Sequence, residues 1–177
     1  MSTARQPEVW LRGPVPDVPP LLQPVAHSVL QCGEEVRVLL EGLSPEQLWH
    51  RPGGAASAGF HVRHAAGSLD RLFTYARGER LSAGQQAALA TESQEDRAPG
   101  AAARLAAAFD AAVERALAQL RSTKESMLLE PRGVGRAQLP STALGLLFHA
   151  AEHTQRHIGQ LATTVKVLTS PAAAPHE

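Results

Sequence analysis

The chain has 177 residues, 44% hydrophobic and 19% charged, which is the composition of an ordinary soluble protein with one core. Lys+Arg and Asp+Glu balance at 17 each and no basic run is present, which argues against a role resting on attraction to nucleic acid or anionic lipid. Aromatics make up only 4%, so the core must be built from Leu, Val and Ala, side chains that suit closely packed helices. Cys32 is the single cysteine, which excludes an internal disulfide. The N-terminus lacks a signal-peptide apolar core and no segment reaches transmembrane length, so the expected location is the cytoplasm, with no membrane partner.

Residues 1–20 carry five prolines (Pro7, Pro14, Pro16, Pro19 and Pro20) and are expected to form an extended arm. Trp10 within it is expected to pack on the outside of the domain; a dimer contact is the sharper alternative. Residues 21–168 read as an all-α domain of four long helices. The first runs from 21 or 24 to 43, with Leu22, Val25, Val29, Cys32, Val36, Leu39 and Leu43 at helical spacing. Cys32 therefore reads as a small core residue rather than a nucleophile. Ser44-Pro45-Glu46 then reads as a cap with proline at the first position of a short turn. The second helix follows Ser57, a plausible N-cap, and ends at Arg77-Gly78. There is room for a short helix after Ser82. The third covers about 101 to 121, with Leu105, Phe109, Val113, Leu117 and Leu120 as its stripe. The fourth starts at Pro140-Ser141-Thr142 and runs to about 168. No strand-like alternation of useful length is present, and the connections over 79–99 and 122–140 are long enough to cross over the bundle. Residues 169–177 read as a frayed tail with an inert His176.

Three of the eight histidines, His149, His153 and His157, fall four residues apart in HAAEHTQRHIGQ. A helix turns by about 100° per residue. On that wheel Leu146, Leu147, Ala150, Ile158, Leu161, Val165 and Leu168 define an apolar side, and Glu152, Gln155, Arg156, Gly159, Thr163 and Lys166 a wet one. His157 falls within the apolar sector, His153 at its edge and His149 further out. His153 and His157 thus form an i, i+4 pair whose rings can converge on one ion. A third ligand must come from FHVRHAAGSLDRL, residues 60–72. His61 and His64 share a face there, with Gly67 and Ser68 small enough to admit a neighbour. The wheel slightly prefers His61; a metal held in a groove between helices wants the flank, where His64 lies. Burying several imidazoles without partners costs on the order of 1–3 kcal/mol each, a cost that a shared cation removes.

Other metal patterns fit less well. His149-Ala-Ala-Glu152-His153 matches the inverted zinc-protease motif H-x-x-E-H, but Glu177 is the sole acid downstream to serve as a third ligand. A di-iron bundle needs Glu-x-x-His on two helices, and neither histidine cluster has that glutamate. Haem attachment through C-x-x-C-H is absent.

GFHVRHAAGSLDRL together with His153-Thr-Gln-Arg-His157-Ile-Gly-Gln-Leu resembles the DinB-like superfamily of four-helix metalloproteins, the DNA-damage-inducible group rather than the polymerase of similar name. The resemblance spans about residues 20 to 168 in length and helix order. It implies a bundle of unusual connectivity, frequently a homodimer. It also implies one divalent metal ion held by His64, His153 and His157, and so decides between His61 and His64. Some members resemble transferases or isomerases that use low-molecular-weight thiols such as mycothiol or bacillithiol. The expected cofactor is one transition-metal ion, zinc first and nickel second, and the expected partner a small-molecule substrate.

Three imidazoles with an open position describe a catalytic site, able to hold a thiol as thiolate or to polarise water or a carbonyl. Around it, Gln160 is expected to reach a ligand, Glu152 to face solvent and Arg71 to be an exposed salt-bridge partner. His27 and His50 have no patterned partner.

Overall fold

The computed structural model describes residues 6–170. Among these residues six α-helices follow one another: α1 (Gln23–Leu40), α2 (Pro45–Trp49), α3 (Ala58–Ala76), α4 (Ala83–Ala90), α5 (Ala101–Ser122) and α6 (Ala143–Thr169). The four long ones are those the apolar spacing predicts, and the fold is all-α. Its helices enclose one core in which Val29, Cys32, Val36, Val62, Leu69, Phe109, Leu120, Leu147, Ile158 and Leu161 are fully buried. Burial pushes the Cys32 thiol up to about 12, with the Glu35 charge adding to it, which disfavours the thiolate at neutral pH and suits a core residue.

Around the bundle, α1 and α3 each lie against both α5 and α6, which puts α1 diagonally across from α3 and α5 across from α6. The α5–α6 connection therefore crosses the bundle, as expected of 122–140. The long 79–99 connection instead joins the neighbours α3 and α5, and it is the shorter α1–α3 connection that crosses. The most extensive helix pair is α3 with α6, the two that carry the histidine clusters.

The caps explain where the helices begin. Ser57 accepts the Phe60 N–H at 3.2 Å, Thr142 accepts that of Gly145 at 3.0 Å, and Ser44 and Ser82 each form a reciprocal capping box, with Gln47 and Gln85. The expected short helix after Ser82 is α4. Ser57 starts the helix that carries His61 and His64 and is itself buried. Ser57→Ala is expected to cost about 1 kcal/mol in urea unfolding; a change below a few tenths would mean that packing alone sets the start of α3.

Several boundaries differ from expectation. α1 stops at Leu40 rather than at 43, because Gly42 takes a left-handed φ of 74° that no helix continues through. The proline-rich arm is not simply extended: it makes 3-10 turns at Val9–Leu11 and Pro20–Leu22 and buries Val9, Val15 and Val18. Gln23 pins it, accepting the Val15 N–H at 2.7 Å and donating to the Val15 and Val18 carbonyls. The apolar anchor at the start of the arm is thus Val9. Trp10, expected to pack, is 60% exposed, its indole N–H donating to Glu8. The tail with His176 lies mostly beyond the described residues.

A small antiparallel hairpin was not foreseen: β1 (Pro131–Val134) pairs with β2 (Leu139–Thr142). Four-residue strands, each containing a proline, are too short to show alternation. The Arg132 side chain, almost fully buried, fastens the hairpin to the end of α3 by donating to the Ala76 carbonyl and to Glu130.

Candidate metal centre

Helical spacing brings His61 and His64 of α3 to face His153 and His157 of α6. The His64 Nε2 lies 3.1 Å from the His153 Nε2, and the His157 ring centroid is 4.6 Å from both the His64 and the His153 centroids. One ring nitrogen from each of His64, His153 and His157 falls within 4.8 Å of the others, a half-buried cluster that can hold one metal ion. His61 is more deeply buried and lies outside this group. Its Nδ1 sits 3.1 Å from the His157 Nδ1. His149 is an exposed neighbour, 3.4 Å from Glu152.

A family model described as the DinB superfamily matches residues 29–161. The chain belongs to the DinB superfamily. No curated protein matches it significantly. For this DinB-superfamily chain the matched span covers all four long helices, α1 and α6 in part, and all four inward histidines.

The electrostatics of this DinB bundle weaken proton binding at His61, His153 and His157. Burial first, then the charges of His64, His153 and His61, push His157 down to about 4. Burial and His64 lower His153, and the same two causes lower His61. Since metal-ligating histidine must be neutral, this lowering reduces proton competition for a metal, most of all at His157. In metal-free protein the unfolded state, with imidazoles near 6.5, binds more protons than the folded state between about pH 4 and 6.5. Stability should therefore rise with pH across that window and level off above about 7. Urea midpoints of metal-free protein between pH 4 and 8 measure this; a midpoint that falls with rising pH would contradict it.

One residue at the cluster is not evident from the sequence. Glu92, in the connection after α4, is buried between helices and accepts the His64 Nδ1–H at 2.7 Å on Oε2. Its other oxygen takes Arg71 Nη1 at 2.5 Å. Arg71, expected to be an exposed partner, is buried by this pair. Burial would raise the Glu92 carboxyl, but the hydrogen bonds from His64 and Arg71 and the Arg71 charge outweigh it and hold it below the usual range. Gly67 makes the room, since a Cβ there would stand 2.5 Å from Glu92 Oε1 and 2.7 Å from Arg71 Nη1. What comes close to Gly67 is this carboxylate rather than a helix. The segment is held in place by Arg63, which donates to the carbonyls of Thr91, Glu92 and Gln94, and by the Trp49 indole N–H on the Asp96 carbonyl at 2.6 Å.

The remaining candidates lie outside the cluster. Glu152 faces outward and bonds Arg156, which holds it below the usual carboxylate range. Gln160 is exposed. His27 joins the Gly13 carbonyl at 3.0 Å and so belongs to the arm. Among the described residues no helix is long and apolar enough to cross a membrane.

Proposed function

We propose that His64, His153 and His157 bind one divalent transition-metal ion with at least one position open, and that the protein is a metal-dependent enzyme transferring a small thiol to an electrophile. The convergence of three imidazoles carries the metal reading, and burial lowers the proton affinity of two of them, His153 and His157. All-nitrogen donors suit zinc, nickel, copper or iron; zinc is the first choice on availability, with nickel a second occupant. Such an ion supplies Lewis acidity that lowers the pKa of a thiol or water into the neutral range.

The chain's own residues favour the thiol over hydrolysis. The two carboxylates nearest the cluster are both engaged: Glu92 between His64 and Arg71, and Glu152 with Arg156. Neither is free to act as a base on water, whereas a thiol acidified by the ion needs none. Phe60, stacked on the His64 ring at 5.4 Å, gives one wall of the site an apolar surface. In this reading the partners are a small-molecule substrate and a second copy of the chain, with no nucleic acid or membrane, in the cytoplasm.

The test is metal analysis of protein made without an affinity tag, followed by thiol-transfer assays on the loaded protein. The rate should depend on metal and on added thiol and change less than about twofold with Glu152→Gln, since that carboxylate performs no proton transfer. Activity independent of thiol and lost with Glu152→Gln would point to hydrolysis. No turnover with any thiol–electrophile pair in fully metallated protein would leave a non-catalytic metal-binding bundle.

A further inference from the structure

We propose that Glu92 is a positioning residue for the three-histidine cluster, fixing the His64 ring with its proton on Nδ1 so that Nε2 is the nitrogen offered to a metal. The inference rests on the metal-binding reading above and adds a second layer to it. A neutral imidazole carries one N–H, and the nitrogen without it is the one with a free electron pair. An ionised carboxylate can only accept, so the 2.7 Å contact of Glu92 Oε2 with Nδ1 requires Nδ1 to be the donor. The nitrogen left bare is Nε2, the atom that lies 3.1 Å from His153 Nε2.

The carboxylate is itself held from four sides. Arg71 takes its other oxygen, Gly67 leaves the space for both groups, and Arg63 and Trp49 fasten the backbone on either side of Glu92. With one oxygen on Arg71 and the other on Nδ1, Glu92 is held on the side of the His64 ring away from Nε2. Carboxylates placed in this way behind metal-bound histidine typically strengthen metal binding about 10–100-fold.

The probe is zinc, titrated into tag-free wild type, Glu92→Gln and the double variant Arg71→Met, Glu92→Met, in competition with a chromogenic chelator. Long-range nitrogen–proton NMR of the histidine rings is recorded on each protein. The double variant removes the acceptor without leaving a buried charge unpaired, so it is expected to fold. In wild type the His64 ring should show the Nδ1–H pattern, with and without zinc. In the double variant that pattern should be lost before zinc is added, and zinc affinity should fall about 10–100-fold at unchanged stoichiometry. Should the double variant fail to fold, Glu92→Gln carries the test with an expected weakening of about tenfold.

A wild-type His64 protonated on Nε2, or variant affinities within about threefold of wild type, would overturn the role of Glu92 alone. A merely structural glutamate would lower the melting temperature and leave both readouts in place. Wild type that takes up no zinc would instead overturn the metal reading, and this inference with it.

Discussion

His157→Ala should reduce the metal content of tag-free protein from about one equivalent to almost none and abolish the stabilisation given by added zinc. A ligand that binds only the folded state stabilises it by RT ln(1 + [L]/Kd), about 4 kcal/mol at a thousandfold excess over Kd. For a domain of this size that is worth a rise of roughly 8–16 °C in melting temperature. His157 is central to the cluster, since its ring neighbours those of His64, His153 and His61. His153→Ala should behave in the same way. His149→Ala should leave metal content intact, because that ring is exposed and paired with Glu152. Metal retained in both His157→Ala and His153→Ala would sink the ligand assignment. Metal that survives His64→Ala while failing in the other two would make His61 the third ligand.

Arg71→Ala should destabilise the protein by about 3 kcal/mol at neutral pH, the range found when one partner of a buried pair is removed. The Glu92 and Arg71 side chains are 8% and 11% exposed, so the abandoned carboxylate would find little water to replace its partner. Its one remaining contact would be with His64. The double change of Arg71 and Glu92 to methionine should recover most of the loss, since it abandons no charge. Urea unfolding of both variants measures the difference. A loss below about 1 kcal/mol for Arg71→Ala would place the pair among solvated surface bridges, which contribute that little.

Most of the helical frame could be read from spacing. Four apolar stripes gave the four long helices, and Ser44, Ser57, Ser82 and Thr142 marked helix starts because a hydroxyl at an N-cap is a local device. The arm was harder: its burial depends on Gln23 and on the surface of α1, which no local pattern in a proline-rich stretch reveals. Connection length was a poor guide to the diagonal pairing, since the long 79–99 segment joins neighbours and the shorter α1–α3 connection crosses. At the cluster, periodicity brought His153 and His157 inward and left His61 and His64 undecided, since both lie on one face and only the depth of the groove separates them. Glu92 was invisible for a different reason. It lies in an irregular segment among other acids, and its place follows from tertiary contacts with Arg63, Arg71 and Trp49 rather than from any period.

The diagonal arrangement bears on how fast the molecule comes apart. His64 and His153 meet across 89 residues, with α5 and the hairpin between them in the chain. Closing so long a loop is entropically costly, so contacts between α3 and α6 are expected to form late on the folding path. An ion joining those helices would bind after the rate-limiting step of folding has passed. It would then leave the refolding rate almost untouched and slow unfolding instead, as interactions absent from the transition state do. Zinc would act on this bundle as a latch on its lifetime, measurable as a shift of the unfolding arm of the chevron alone.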